Sequence, residues 1–367
     1  MLSVTQEARF NHKLSKLRET FATARITPTH FHPPVVTHSP WETRHKVKMS
    51  VTGTADTPII GVTRPDMTSS DIKRCRLSSA PIASLLAFMS GFITRHDLHP
   101  YDIRARHGEL KFLIVMTTAN NDQGILRFVL KSSEVVPRIR KALPELLSAF
   151  PWLKVISCNI QPIPAAILEG PEEIVLTDCA AIRDDVAGVP LYFAPQSFMQ
   201  VTPSIAKRLY RAAADVVIES RAQDVLDLFC GVGGFSLSCA HVCGSITGIE
   251  ISKQAIECAT KSAAEMGLKN TRFISADVDK FLSDRSTLSP DLVITNPPRR
   301  GLSDNIVGYL LQAAPKKIVY SSCNPETFCR DVAMLAERYT LDSAIPFDMF
   351  PLTHHWEILG VLGKRGA

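Results

Sequence analysis

The chain has 367 residues, 45% of them hydrophobic, which is enough for two domains with separate cores. Its net charge of +5 is modest, no apolar run approaches the roughly 18 residues that a membrane span needs, and the first 25 residues lack the apolar segment of a signal peptide. The nine cysteines are scattered, with no CxxC pair and no regular spacing. They argue against a disulfide framework and for a reducing, cytoplasmic setting.

The charge is unevenly spread. Residues 1–150 hold 21 Lys and Arg against 12 Asp and Glu, and the remainder holds 20 against 24. A basic half beside an acidic half predicts that one portion meets a polyanion, although solvated lysines alone produce such a skew.

In chain order, residues 6–24 predict a helix with Phe10, Leu14, Leu17 and Phe21 on one face. Residues 28–40, with four prolines, read as a linker. Strands are predicted at 45–52 and 59–63, an amphipathic helix at 81–93, and a hairpin from 109–118 and 124–131. A helix at 133–150 and strands at 153–160 and 173–177 complete a mostly antiparallel α+β region. The style changes at Thr202-Pro203, a helix start running to about Ser220. From there strands at 224–229, 245–250, 272–275, 291–295 and 316–321 alternate with helices, and 342–349 and 355–362 form a final antiparallel pair at the sheet edge. The expected fold is α/β: a doubly wound, Rossmann-like C-terminal domain behind an α+β region. The expected division is 1–40 (helix and linker), 41–200 (recognition region) and 201–367 (catalytic domain).

Asp227-Leu228-Phe229-Cys230-Gly231-Val232-Gly233-Gly234-Phe235 is a strand entering a glycine turn and then a helix, where a backbone can approach a ligand closely. Glu250 closes the second strand, and a carboxylate there suits the two hydroxyls of a ribose. NAD and S-adenosylmethionine enzymes share this logic. The glycine run lacks the third glycine that packs under a pyrophosphate, and the fourth strand ends in Asn296-Pro297-Pro298. Both features favour S-adenosylmethionine.

Ser321-Ser322-Cys323-Asn324-Pro325 places a cysteine where the fifth strand meets a helix. The helix N-terminus there favours the thiolate, the nucleophilic form. A buried core cysteine is the alternative.

Together with Arg44-His45-Lys46-Val47-Lys48-Met49, Gly108 to Phe112, Asn159 to Pro162, Pro195 to Gln200, Asn296 to Gly301 and Asp348 to Glu357, these motifs resemble the bacterial RNA (uracil-5-)-methyltransferase family. The likeness runs from about residue 40 to the end and is nearest to the shorter 23S rRNA branch that lacks a TRAM domain. By that resemblance Gln200, Phe229, Glu250 and Asn296 contact S-adenosylmethionine, Cys323 is the nucleophile and Glu357 the base. The chemistry needs this pair. Thiolate addition to C6 of uracil makes C5 nucleophilic towards the sulfonium methyl. A carboxylate then removes the C5 proton, and elimination frees the enzyme.

Members of that branch carry a four-cysteine iron–sulfur motif, and only its last cysteine has a match here, Cys75. A single cysteine cannot hold such a cluster, so neither a cluster nor another metal is expected in this chain. The expected activity is 5-methyluridine formation in RNA, with 23S rRNA the expected substrate, by a cytoplasmic protein with no membrane contact and no obligate protein partner. Arg44, Lys46 and Lys48 are candidate phosphate contacts, as are Arg299 and Arg300 near the site. Two alternatives remain. One is an amino-methyltransferase of the Asn-Pro-Pro type, which would need no cysteine and would have an aromatic where Arg299 stands. The other is an RNA-binding assembly factor without turnover.

Overall fold

A computed structural model of the protein describes residues 6–64, 69–165, 167–284 and 288–366. In chain order its elements are α1 (Gln6–Thr23), β1 (His30–Phe31), β2 (Lys46–Gly53), β3 (Pro58–Thr63), β4 (Ser69–Asp71), α2 (Ala80–Arg95), β5 (Leu110–Thr117), β6 (Gly124–Leu130), α3 (Val136–Ala149), β7 (Leu153–Ile160), β8 (Glu172–Val175), β9 (Ile182–Val186) and β10 (Val189–Phe193). There follow α4 (Pro203–Ser220), β11 (Asp224–Leu228), α5 (Gly234–Cys239), β12 (Ser245–Glu250), α6 (Lys253–Glu265), β13 (Thr271–Ser275), α7 (Val278–Asp284), β14 (Leu292–Thr295), α8 (Asp304–Ala313), β15 (Lys317–Ser322), α9 (Pro325–Leu335), β16 (Tyr339–Phe347) and β17 (Glu357–Lys364). The chain divides into two compact units, one of residues 1–40, 185–192 and 196–367, the other of 41–184 and 193–195.

In the first unit, the sheet order β13-β12-β11-β14-β15 is that of a doubly wound parallel sheet. Local sequence sets the helices that wind it. Pro203 occupies the first turn of α4, and Ile205, Leu209, Ala213 and Val217 form its buried stripe. The side chains of Ser252, Ser303 and Asn324 accept backbone N–H groups at the starts of α6, α8 and α9.

The antiparallel pair β16–β17 forms as expected but does not end the sheet. β17 lies between β15 and β16, and β1 pairs parallel with β16 at the edge, with His30 opposite Ser343. An edge strand needs ladder bonds on one side only, so the prolines around β1 are tolerated. A register shift between Leu341 and Ser343 blurs the alternation of β16, which is why its start at Tyr339 is earlier than the pattern suggests. Residues 1–40 are part of this core. Leu17 and Phe21 of α1 pack with Val293, Ile318, Phe328 and Ile358.

The second unit is a seven-stranded sheet in the order β4-β3-β2-β5-β6-β7-β8. Its pairs are antiparallel except β6–β7, which α3 connects in parallel. Val47, Met49 and Leu113 of the strands pack with Leu85, Met89 and Phe92 of α2 and Ile139 and Leu146 of α3. On the other face Arg127, 1% exposed, pairs with Glu169 at 3.0 Å and Glu173 at 2.5 Å. Lys48 joins the same network through Glu169 at 3.1 Å. Burial pushes the Lys46 amine down to about 7. Lys48 is thus held by an ion pair within this unit, with about a third of its side chain exposed.

Candidate active site

The carboxyl ends of four parallel strands bring the expected site residues to one edge of the first unit. Phe229 follows β11, Glu250 ends β12, Asn296 follows β14 and Cys323 follows β15. The strands are in register, Leu228 opposite both Ile249 and Thr295, and the Asn296 N–H donates to the Leu228 carbonyl at 3.3 Å. β11 neighbours β12 on one side and β14 on the other, so this edge is the topological switch point where such sheets take ligands. Gln200 is buried in the segment entering α4.

The turn after β11 is built for close approach. Phe229, Gly231 and Gly233 have φ of 64°, 55° and 85°, and a Cβ at Gly231 would meet no atom within 4 Å. Glu250 stands beside this open cradle. Its Oε2 accepts the Gly231 N–H at 3.3 Å and its Oε1 the Ser252 N–H at 2.9 Å. Two buried oxygens nearby in the chain, Asp227 Oδ1 and Thr295 Oγ1, have no hydrogen-bond partner among the described residues. An open backbone cradle, a fixed carboxylate and buried acceptors without partners fit a ligand with ribose hydroxyls, amino groups and a positive sulfonium.

Asp227, which the sequence motif includes without a role, is a candidate site residue. It is fully buried, Ser236 Oγ donates to its Oδ2 at 2.5 Å, and burial pushes its carboxyl up to about 7. The available signal is an acidic residue one position before the end of β11, at the head of the glycine motif.

Cys323 is half-buried at the Asn324-capped start of α9. Burial raises its thiol above the usual range and the Glu357 carboxylate raises it further, while the Arg299 guanidinium, hydrogen-bonded to it, pulls it down. The expectation of a thiolate favoured at a helix start is thus modified, because burial and the Glu357 charge outweigh Arg299. Glu357, at the start of β17, is 2% exposed and accepts from Ser321 Oγ at 2.5 Å. Burial pushes its carboxyl up to about 7, and the Ser321 hydrogen bond opposes that. A carboxyl poised near neutral pH is suited to moving a proton. Tyr210 of α4 is buried, which raises its phenol, and the charges of Glu357 and Asp227 raise it further. Its ring packs edge-on against Phe235 of α5 at 4.9 Å between centres, and the sequence alone does not single it out.

The loop 296–302 is anchored to α9. The Leu302 N–H donates to Asp331 Oδ2 at 2.8 Å, Tyr320 Oη donates to the same oxygen at 2.6 Å, and Asn324 Nδ2 donates to the Arg299 carbonyl at 3.1 Å. This fixes Arg299 beside Cys323. Among the described residues no three His, Cys, Asp or Glu side chains gather to hold a metal ion, and no helix is long and apolar enough to cross a membrane. Cys75 lies in a turn after β4, its N–H on the Ile72 carbonyl at 2.9 Å.

Residues 219–338 match a family described as a methyltransferase domain. A 23S rRNA (uracil(747)-C(5))-methyltransferase of Shewanella amazonensis is 42% identical over 325 residues, covering 88% of this chain and 84% of that protein. Its counterpart in Yersinia pseudotuberculosis is 44% identical over 322 residues, 88% and 85% of the two chains. Among solved structures, the tRNA (uracil-54, C5)-methyltransferase of Pyrococcus abyssi in complex with S-adenosyl-L-homocysteine superimposes with a TM-score of 0.78 at 24% identity, over 98% of this chain and 84% of that one. At that identity the likeness establishes the fold.

Proposed function

The chain belongs to the RNA (uracil-5-)-methyltransferase family, and from that premise we propose that it forms 5-methyluridine in 23S rRNA through a covalent Cys323 adduct. It is an S-adenosylmethionine-dependent enzyme that methylates uracil C5 in RNA. The relatives that cover most of the chain act on uracil 747 of 23S rRNA, and the same nucleotide is the proposed target here, in the cytoplasm.

The observation that supports the mechanism is that paired strands deliver two groups to one place, the thiol of Cys323 just past the end of β15 and the buried carboxyl of Glu357 at the start of β17, with the strands bridged by Ser321. S-adenosylmethionine, when bound, supplies the methyl group. Gly231 and Glu250 are assigned to hold its ribose side, with Gln200, Phe229 and Asn296 around it. Cys323 adds to C6 of the uracil, and Arg299 supports the thiolate as it forms. Once C5 carries the methyl group, Glu357 in its ionised form takes the C5 proton, Ser321 holding the carboxylate in place. Elimination breaks the Cys323–C6 bond and restores the ring.

An aromatic does not follow Asn296-Pro297-Pro298, and an amino-methyltransferase would leave Cys323 and Glu357 without work. The test is mass spectrometry of a 23S rRNA transcript after incubation with enzyme and S-adenosylmethionine, mapped to the nucleotide. One 5-methyluridine at the position of uracil 747 is expected. Methylation at another uridine would move the target. Methylated adenine or no product would overturn the reading.

A further inference from the structure

We propose that the cleft beside Cys323 is a groove for the RNA strand flanking the target uridine, with helix α1 as one of its walls. The proposal rests on the methyltransferase reading and extends it to a surface that the motifs do not reach.

The cleft has a volume of about 770 Å³, with Cys323 and Arg299 in one wall and His12, Lys16 and Thr20 of α1 in the other. A volume in the range of roughly 300–1,000 Å³ takes an entire drug-sized ligand, and a uracil ring is a fraction of one. The remaining space opens directly onto the nucleophile. What is attached to the reacting base is its ribose, its phosphates and the next nucleotide, and these are the occupants the space fits.

Polar chemistry supports the same occupant. Cationic side chains at the cleft are Lys13, Lys16 and Arg299, against the carboxylates of Glu19 and Glu326, and the imidazoles of His12, His354 and His355 add further hydrogen-bonding groups. Lys16 pairs with Glu19 at 2.8 Å with both side chains more than half exposed. Such a surface pair contributes at most about 1 kcal/mol, so a phosphate can take over the ammonium.

α1 carries two stripes. Leu17 and Phe21 enter the core, with Phe10 and Leu14 packed against it, while His12, Lys16, Thr20 and Thr23 line the cleft at helical spacing. The helix is fixed in place before any RNA arrives. Lys13 Nζ pairs with Asp348 at 2.5 Å and lies 4.3 Å from the Trp356 ring centre, and the Trp356 indole donates to the Lys13 carbonyl at 3.3 Å. A preformed wall avoids the ordering cost that a mobile segment would add on binding.

The test uses the full chain and a 23S rRNA fragment spanning the uridine that the relatives methylate. 4-Thiouridine is placed one nucleotide before or after the target, the complex is irradiated, and crosslinked peptides are mapped. From one of the two positions the crosslink is expected in residues 12–24. The exposed double change His12→Ala with Lys16→Ala is expected to weaken RNA binding roughly fivefold and to reduce the salt slope by about one phosphate contact, with thermal stability unchanged. Crosslinks confined to residues 41–184, or unaltered affinity in the double variant, while wild type still methylates the fragment, would overturn the groove and leave the methyltransferase reading standing. Absence of methylation together with absence of binding would overturn that reading, and the groove with it.

Discussion

Ser321 Oγ donates to Glu357 Oε1 across the β15–β17 pair, joining the strand that delivers the proposed nucleophile to the strand that delivers the proposed base. Ser321 is opposite Leu359 and Ser322 opposite Ile358 in that ladder, so a shift of either strand by one residue would turn one partner to the opposite face. The antiparallel insertion of β17 next to β15 thus sets the distance between the two reacting side chains of the proposed mechanism.

The first prediction concerns pH. Glu357 must be ionised to accept a proton, so steady-state turnover is expected to rise with pH through about 7, the value to which burial has raised its carboxyl. Ser321 favours the charged form, so Ser321→Ala is expected to move this limb to higher pH, and a pH–rate profile of the two proteins checks it. An unmoved limb would separate Ser321 from the base.

The same carboxyl predicts a stability effect. Its folded value lies above the ordinary 4.5, so the native state binds the proton more tightly than the unfolded chain does. Stability from this group is therefore greatest at low pH and declines as pH rises from about 4.5 through about 7, by on the order of 3 kcal/mol in full. Glu357→Gln removes that loss. The variant is expected to melt higher than wild type at pH 8 and to gain little at pH 5, which calorimetry at the two pH values would show.

Cys323 gives a third prediction, read without substrate. The Glu357 charge raises its thiol and the Arg299 charge lowers it. Alkylation of Cys323 by iodoacetamide, followed by peptide mass spectrometry against pH, is expected to shift to lower pH in Glu357→Gln and to higher pH in Arg299→Met. Equal midpoints in all three proteins would mean that neither charge reaches the sulfur.

How much of this was legible in the sequence depends on the kind of signal. Residues 245–250, 304–313 and 153–160 carry strong periodic patterns with clear ends, and the observed elements match them residue for residue. The order of glycine turn, Glu250, Asn296 and Cys323 placed all four at one sheet edge, because each follows a parallel strand. β1 was hidden, since two residues among prolines carry no period. The role of α1 was hidden too, because its amphipathic pattern tells that Leu17 and Phe21 are buried but not against what. The ion pair of Lys48 was hidden for a related reason. A lysine's sequence context does not reveal Glu169, more than a hundred positions away, which takes the Lys48 charge. Asp227 and Tyr210 owe their significance to burial next to other ionisable groups, and that exists only once the chain is folded.

The fourth prediction separates nucleophile from cofactor site. Cys323→Ala is expected to abolish methylation and keep S-adenosylmethionine binding by calorimetry, because the cradle at Gly231 and Glu250 belongs to β11 and β12. Glu250→Ala is expected to do the reverse in order of cause, weakening cofactor binding first. Turnover by Cys323→Ala above about a hundredth of wild type, a loss of under 3 kcal/mol in transition-state stabilisation, would sink the covalent route.

The last prediction distinguishes a catalytic Glu357 from a structural one. Glu357→Gln keeps the size of the side chain and an acceptor for Ser321 but cannot remove the C5 proton. Addition and methyl transfer are then expected to proceed once, leaving the methylated nucleotide attached to Cys323, because elimination requires that proton to leave. A denaturing gel with methyl-labelled S-adenosylmethionine and target RNA reads this directly, as a labelled enzyme–RNA band in Glu357→Gln. The band must vanish in the double variant with Cys323→Ala, since the bond to the sulfur is what survives denaturation. A carboxyl with a purely structural part, buried to hold β17 against β15, would give an enzyme that is either unfolded or fully active and in neither case accumulates the adduct. Multiple turnover by Glu357→Gln at the wild-type rate would assign the proton to another acceptor in the site.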